Sequence, residues 1–323
     1  MALLQNAPDF LLTPTYDGSG QVVHPSVLDV WTEYGLPHWS GFRYWLAITP
    51  YPNGDDAYEN PSILASNDGI NWVVPPGICN PLDVKPGTKH STPANYNSDP
   101  ELVFDPYNSC LLLFWRESLV GNYDRIWLTR IYKNRIIAPK TLCLSVRWSA
   151  ESLVMSPTIW RNGPNEWYLW TCNGKRIYLH YSDNGPFWRN RYPCTLTVTG
   201  GHSEDYVPWH LQVKPNYREH RLEFLICGSP GIPQMSLWYA EASMFKPCHL
   251  AIPLADLVLT PSKHKESWDN ERIYRSSFVI ADRKHSYTYC VWYSARSQEG
   301  SWHLGYTEGV LDTSRIVTGA VLQ

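Results

Sequence analysis

Residues 99–131 read DPELVFDPYNSCLLLFWRESLVGNYDRIWLTRI and contain three apolar segments separated by polar turns. The first segment, residues 99–103, starts with an Asp-Pro pair that favours a turn. The second, residues 110–116, is strongly apolar and aromatic, and the third, residues 125–131, alternates between polar and apolar side chains. Because short apolar or alternating runs bounded by turn residues are typical of β-strands, this stretch predicts an antiparallel meander.

The same three-part arrangement occurs four more times along the chain. The further first segments are residues 24–28, 156–160, 208–212 and 274–278; the second segments are 43–49, 166–172, 221–227 and 286–293; the third are 62–66, 176–181, 235–240 and 302–306. Repeated meanders arranged around an axis form a propeller. A two-sheet sandwich is the alternative, but it does not account for five copies of one arrangement.

We therefore predict an all-β protein in which residues 1–323 form a single five-bladed β-propeller domain of four-stranded antiparallel blades. Its inner strands are expected near residues 25, 101, 158, 210 and 276. A terminal segment, residues 10–15 or 315–322, is expected to complete the last blade and close the ring. SNDGINW at 66–72 and SDNGPFW at 182–188 predict hairpin turns, because Asp-Gly and Asn-Gly readily adopt positive φ, and each places a Trp after the turn.

The composition restricts the function classes. The net charge of −3 gives no general attraction to nucleic acid or anionic membranes, and no apolar run is long enough to span a bilayer. The N-terminal residues do not resemble a signal peptide, so we expect synthesis in the cytoplasm. The eight cysteines form no CxxC pair, and reduced, mostly buried thiols are expected. Neither a metal ligand set nor a cofactor motif is legible, so none is predicted, and a cation in the central channel is left as an open alternative.

In a propeller, the residues that begin the inner strands surround one mouth of the central channel, and the loops between second and third strands lie over it. This geometry predicts a pocket rich in carboxylates, imidazoles, guanidiniums and indoles, which suits a carbohydrate. We expect proton-transfer roles for Asp99, Glu59, His24 and His210. The predicted substrate-binding residues are Trp45, Trp115, Arg116, Glu117, Asp205, Trp209 and Arg275. Indoles of second strands also commonly pack between blades, and loop carboxylates are commonly only solvated.

These segments resemble the five-bladed propeller glycosidases, the clan of arabinanases and β-xylosidases with their invertase-like relatives. The resemblance covers nearly the whole chain at the level of blade segments. The first block, which contains HPSV at 24–27, GFRYWLA at 41–47, TPYP at 49–52 and ENPSI at 59–63, is similar to propeller proteins of phages that infect Gram-positive bacteria. That similarity implies a tail or other structural protein that is associated with the phage particle and its other structural proteins.

The catalytic residues that the resemblance implies are only partly present. Arabinanase-type enzymes use an Asp at the start of blade one as general base, an Asp in blade two that tunes pKa, and a Glu in blade three as general acid. Here the blade-two position matches as Asp99, whereas the other two positions hold His24 and Met155. Glycoside hydrolysis usually requires two carboxylates. Glu59, or other carboxylates of neighbouring loops, would have to restore the pair.

Two functions follow as hypotheses, with a glycan-free protein scaffold as a third. The first is a glycoside hydrolase acting on a bacterial surface glycan, in which Asp99 and Glu59 are the carboxylates, His24 or His210 assists, and Arg275 and Arg116 orient the sugar. The second is a non-catalytic, receptor-binding tail protein that keeps the pocket and lacks the chemistry. Both predict a carbohydrate partner.

Overall fold

The computed structural model describes residues 3–84, 95–199, 203–230, 234–253, 257–283 and 286–311 of the chain. Nineteen strands in this part form five sheets. The strands of blades one and two are β1 (Val22–Asp29), β2 (Tyr44–Pro50), β3 (Ser62–Ser66), β4 (Asn95–Asp105), β5 (Cys110–Leu119), β6 (Tyr123–Tyr132) and β7 (Thr141–Arg147). Those of blade three are β8 (Met155–Arg161), β9 (Trp167–Cys172), β10 (Ile177–Ser182) and β11 (Tyr192–Pro193). Blades four and five contain β12 (Thr195–Val198), β13 (Tyr206–Asn216), β14 (Arg221–Pro230), β15 (Ser236–Ser243), β16 (His249–Ile252), β17 (Arg272–Arg283), β18 (Ser286–Arg296) and β19 (Trp302–Gly309).

The helical elements of the described part are all short. They are one α-helix, α1 (Val30–Tyr34), and the 3-10 turns Pro52–Gly54, Asp56–Tyr58 and Ser203–Asp205. Among the described residues, no helix is long and apolar enough to cross a membrane.

The inner strands form a closed ring. Strands β1, β4, β8, β13 and β17 contact one another in this order, and β17 returns to β1. The predicted five-bladed propeller and the positions of all five inner strands are therefore confirmed.

The prediction of four strands in every blade was only partly correct. Blades one and five have three named strands, blades two and three have four, and blade four has five. The extra strand is β12, which leaves blade three and pairs in parallel with β16 of blade four, from Thr195 opposite His249 to Val198 opposite Ile252. The outer edge of blade four is thereby covered by chain from its neighbour.

The N-terminal segment contributes to ring closure. Leu11 forms an antiparallel bridge with Leu304 of β19, and its backbone N–H donates to the Leu304 carbonyl at 2.7 Å. This is the first of the two closing segments that we predicted. The alternative, residues 315–322, lies outside the described residues.

Large aromatic side chains fill the space between blades, and two predicted sugar-binding residues are among them. Trp45 of β2 and Trp115 of β5 are 0% and 1% exposed and belong to one apolar cluster with Trp39 and Phe104. A sugar at the channel mouth cannot reach them. The predicted substrate-binding role of Trp45 and Trp115 is therefore wrong; the second strands use these indoles to pack one blade on the next.

Every inner strand carries a β-bulge near its start. The register shifts fall between Val23 and Ser26, Ser98 and Glu101, Met155 and Thr158, Pro208 and His210, and Ile273 and Ser276. Three residues at these bulges, His24, Asp99 and Ser156, have φ of 58°, 52° and 52° and precede proline. Because a bulge re-aims side chains that a regular strand would point sideways, five equivalent bulges direct their residues to one mouth. Backbone strain of this kind collects at functional sites.

The hairpin turn after β3 links blade one to blade five. Gly69 has φ of +78°, as the sequence predicted, and its carbonyl accepts a hydrogen bond from the Trp292 indole at 2.7 Å. A Cβ at Gly69 would lie 3.0 Å from Trp292, whereas a Cβ at Gly121, which has φ of +82°, would meet nothing within 4 Å. Both glycines therefore have the backbone strain of positive φ, but only Gly69 would also be crowded by a side chain.

We expect Gly69→Ala to destabilise the fold by about 1–3 kcal/mol more than Gly121→Ala, because only the first adds overpacking to the cost of positive φ. Denaturant unfolding of the two variants and the parent measures the difference. Equal losses in both would show that Trp292 moves aside freely and that the contact between the blades is loose.

The eight cysteines are free in the structure, and Cys79 is the exposed one among them. We expect eight reduced thiols in the native protein. Mass spectrometry after alkylation without reductant should show Cys79 modified first and the buried thiols, such as Cys172 and Cys227, only after unfolding. A disulfide in the native protein would contradict this.

Candidate functional site

The bulges of three inner strands bring His24, Asp99 and His210 together. Nε2 of His24 lies 3.5 Å from Oδ1 of Asp99, and Nδ1 of His210 lies 3.2 Å from the same oxygen. Glu59, on the loop before β3, has its Oε1 3.7 Å from Nδ1 of His24. These four residues are at most 4% exposed. The structure thus brings together the four residues for which the sequence predicted proton-transfer roles.

The geometry of three of these residues fits a metal ion. One donor atom each from His24, Asp99 and His210 lies within 4.8 Å of the other two. Nε2 of His210 has no hydrogen-bond partner among the described residues, whereas Nδ1 of His210 and Nε2 of His24 both face the Asp99 carboxylate. A buried nitrogen without a partner requires an explanation, and a bound cation would supply one. Two imidazoles and one carboxylate are a donor set of catalytic transition-metal sites, Zn²⁺ among them.

Thr49 fixes the orientation of the His24 ring. Its Oγ1 lies 2.9 Å from Nδ1 of His24. With the proton on Nδ1, Nε2 presents its lone pair toward Asp99 and His210, which is how a metal-binding imidazole is commonly held. Spacing in the sequence did not indicate a metal site, because these three candidate donors come from separate blades and no local motif reveals them.

The protonation states of these groups suit cation binding. Burial lowers the pKa of His24 well below its usual value, although Asp99 acts in the opposite direction. Burial also lowers the pKa of His210. Burial alone would raise the pKa of the Asp99 carboxyl, but the surrounding imidazoles and the Arg275 guanidinium hold it well below its usual range. Neutral imidazoles and an ionised carboxylate are the forms that bind metals.

Two buried guanidiniums surround Asp99. Nη1 of Arg275 lies 3.3 Å from Oδ1 of Asp99, and its Nη2 lies 3.4 Å from Oε2 of Glu101. Nη1 of Arg116 lies 3.7 Å from Oδ2 of Asp99, and its Nε donates to both oxygens of Asp124 at 3.0 Å. Arg275 is fully buried in the channel. Arg275 orients the Asp99 carboxylate and does not line the cavity. The predicted contact of Arg275 with substrate is therefore corrected: it supports Asp99 instead.

A cavity of about 310 Å³ opens above this cluster, within the roughly 300–1,000 Å³ range of small-molecule sites. Its polar lining is formed mainly by His24, Glu59, Asp99, Arg116 and His210. The aromatic and apolar lining consists of Tyr51, Tyr96, Val120, Trp148, Leu153, Met155, Trp209 and Tyr274. Trp209, 38% exposed, presents an indole at the mouth, and its Nε1 donates to the Tyr274 hydroxyl at 3.2 Å.

Two other predicted substrate-binding residues do not line this cavity. Glu117 is turned into blade two, where it accepts a hydrogen bond from Nη1 of Arg125 at 3.2 Å. Asp205 lies exposed in the 3-10 turn before β13. The predicted substrate-binding roles of Glu117 and Asp205 are therefore corrected. Side chains alternate along β5, so Glu117 points away from the mouth, and Asp205 lies in a solvent-exposed turn.

Sequence reasoning missed Tyr274, Tyr51 and Tyr96. Tyr274 directly precedes Arg275 at a bulge, where two consecutive residues both reach the channel mouth. The repeat alignment could have identified it, since Trp209 precedes His210 in the equivalent place of blade four. No sequence signal marks Tyr51 or Tyr96, which reach the cavity through loop geometry and strand length.

Comparison with known proteins identifies relatives of this arrangement. No family model matches the chain. A curated protein from Flavonifractor plautii, an A type blood N-acetyl-alpha-D-galactosamine deacetylase, is 26% identical over an alignment of 349 positions. The alignment covers 92% of this chain and 43% of that protein, so the chain spans less than half of its relative.

Solved structures share the fold. An N-acetylgalactosamine deacetylase from F. plautii, in complex with blood group B trisaccharide, superposes with a TM-score of 0.78 at 22% identity and covers 96% of both chains. An exo-1,5-alpha-L-arabinanase from a bovine ruminal metagenomic library gives a TM-score of 0.55 at 11% identity, with 91% of this chain and 94% of that chain covered. An exo-beta-1,3-galactanase from Phanerochaete chrysosporium gives 0.56 at 10% identity, with 96% and 67% covered. The resemblance to the propeller glycosidases is confirmed at the level of fold.

Proposed function

We propose that this protein is a metal-dependent hydrolase that removes the acetyl group from an N-acetylated amino sugar of a glycan. The observation that carries the proposal is the buried cluster of His24, Asp99 and His210 at the floor of a sugar-sized cavity. Three converging donors, two imidazoles and a carboxylate, are what a hydrolytic metal site requires. The similarity to an N-acetylgalactosamine deacetylase supports the same reaction class.

The apolar side of the cavity favours amide hydrolysis over glycoside cleavage. Met155 stands at the position where the resembled glycosidases carry their general acid, and Leu153 lines the cavity as well, so this wall offers no proton to a leaving group. A thioether and an isobutyl side chain instead suit the methyl group of an acetamide.

When bound, the cation would act as a Lewis acid that polarises the amide carbonyl. The residues of the chain supply the rest. His24, Asp99 and His210 would hold the ion, the Arg275 guanidinium keeps the Asp99 carboxylate ionised, and Nη1 of Arg116 lies 3.7 Å from its other oxygen. Glu59, which lines the cavity, would take a proton from the attacking water and deliver it to the departing amine. The Trp209 indole packs on the sugar ring.

A two-product assay tests the proposal. The purified protein is incubated with N-acetylgalactosamine glycosides, and with aryl arabinosides, xylosides and galactosides, and acetate and free sugar are both measured. We expect acetate without release of the aglycone, near-stoichiometric transition metal in the native protein, and loss of activity on chelation that added Zn²⁺, Mn²⁺ or Co²⁺ restores. Full activity in a metal-free protein would reject the proposal.

Glycoside hydrolysis is the second candidate, because Glu59 and Asp99 lie on opposite sides of the His24 ring. Released sugar without acetate in the same assay would favour it. Saturable binding of the glycosides with neither product would favour a non-catalytic, receptor-binding lectin.

Association with a phage particle is a separate part of this proposal. It is supported by the resemblance of the first block, residues 24–69, to phage propeller proteins. The protein would be made in the cytoplasm and incorporated in the virion beside other structural proteins. Peptides of this chain in density-purified virions of the host strain test this directly, and their absence would reject the association while leaving the enzymatic proposal intact.

A further inference from the structure

A second cavity, of about 430 Å³, opens at the other end of the channel. The inner strands line both cavities. The first cavity contacts His24, Asp99 and His210, and the second contacts the same strands two or more residues later, for example at Leu28 and Lys214. At a rise of about 3.3 Å per residue, this places the two cavities toward opposite mouths. Arg275 lines neither cavity and pairs with Asp99 of the first and Glu101 of the second.

The polar groups of the second cavity form a fixed, neutral pair. Nζ of Lys214 donates to Oε2 of Glu33 at 2.7 Å and to the Val27 carbonyl at 3.3 Å. These two acceptors, among the described residues, leave one of the three ammonium protons for a ligand. Oε1 of Glu33 accepts the Asp29 N–H at 3.1 Å, and lone pairs remain on both oxygens. The Lys214 ammonium and the Glu33 carboxylate are thus a donor and an acceptor held side by side, an arrangement that can hydrogen-bond two vicinal hydroxyl groups of a sugar.

Aromatic rings form the rim. Tyr107 and Tyr217 are 64% and 59% exposed, although both lie against the cavity. The Tyr217 hydroxyl is held by the Trp160 indole, whose Nε1 donates to it at 3.3 Å, and Trp160 stacks on Tyr168 with ring centroids 4.8 Å apart. Such rigid, exposed rings beside a fixed polar pair present C–H-binding faces and hydroxyl partners together.

The local charge selects a neutral ligand. Lys214 is paired with Glu33, Arg161 with Asp105 and Glu101 with Arg275, so neither an anion nor a cation gains net attraction. A purely apolar ligand would desolvate the Lys214–Glu33 pair without replacing its hydrogen bonds, which is costly. We infer that this mouth is a second, non-catalytic binding site for a neutral pyranose. In a protein with two sugar sites, binding at one site raises the effective concentration of glycan at the other, which strengthens attachment to a glycan-coated surface.

The inference does not depend on the catalytic proposal, and photo-crosslinking separates the two. A diazirine derivative of galactose is irradiated with the full-length protein, with and without excess galactose, and the adducts are mapped by peptide mass spectrometry. We expect adducts that excess galactose suppresses in the segments carrying Tyr107 and Tyr217. Asp99→Asn, at the opposite mouth, should leave this labelling unchanged.

Variants of the exposed rim make the result specific. Tyr217→Ala should reduce labelling at this mouth about tenfold, whereas Tyr192→Ala should not; Tyr192 is 49% exposed on β11 and lines neither cavity. Adducts confined to the segments around Trp209, or adducts that excess galactose does not suppress, would overturn the inference. Equal loss in both tyrosine variants would overturn it as well.

Discussion

Asp99→Asn is expected to lower the turnover of the N-acetylated sugar by about 10³-fold or more, which equals roughly 4 kcal/mol of transition-state stabilisation. Asp99 lies at the centre of the site: both imidazoles and the Arg275 guanidinium approach its carboxylate within 3.5 Å. An amide in its place neither supplies a negative charge to a cation nor balances the two arginines. We therefore expect the metal content of the variant to fall together with kcat/KM, measured by elemental analysis and by acetate release.

The matched control is Asp105→Asn. Asp105 lies on the same strand, β4, is 4% exposed, and pairs with Arg161 at the other end of the channel. Each substitution removes a buried carboxylate from an arginine, so both should cost stability. Only Asp99→Asn should remove metal and activity. If Asp99→Asn keeps its metal and loses only sugar affinity, by roughly 0.5–3 kcal/mol as for a lost hydrogen bond, the pocket is a lectin site.

The fold was predictable because its signal is local and repeated. Each blade requires two or three strand segments, apolar or with alternating polar and apolar side chains, that are joined by turns. Five copies of that arrangement exclude most other architectures. The parallel pairing of β12 with β16 was not predictable, because it joins two blades and requires no particular residue at either strand. That residues 1–323 form a single domain stays a prediction.

The site was predictable in its members and not in its chemistry. We identified His24, Asp99 and His210 because they begin inner strands at equivalent positions, and the closed ring brings such positions together. The same reasoning did not tell which indoles face solvent: Trp209 lies within a bulge and is exposed at the mouth, while Trp45 and Trp115 of the second strands are buried between blades. The sequence contained no indication of the proposed metal site, because its candidate donors belong to three blades and lack any spacing signal.

Glu59→Gln is expected to separate binding from chemistry. The Glu59 carboxylate lies 3.7 Å from Nδ1 of His24 and lines the cavity, but it is not among the three clustered donors. The variant should therefore keep its metal and its KM.

Its kcat should fall by roughly 10²–10⁴-fold, the usual contribution of a general acid or base, because an amide at this position cannot accept the proton of the attacking water.

Glu117→Gln is the matched control: Glu117 is also buried, pairs with Arg125 and does not line the cavity, so acetate release should stay at the parent rate. Steady-state kinetics with elemental analysis on both variants decides the role. A Glu59→Gln variant that loses metal in proportion to activity would make Glu59 a ligand or a support of His24; a variant with unchanged kcat would remove it from the proton transfer. Only a lower kcat at constant metal content assigns Glu59 to the chemical step, since a residue that acts in the transition state alone changes turnover and leaves ground-state binding in place.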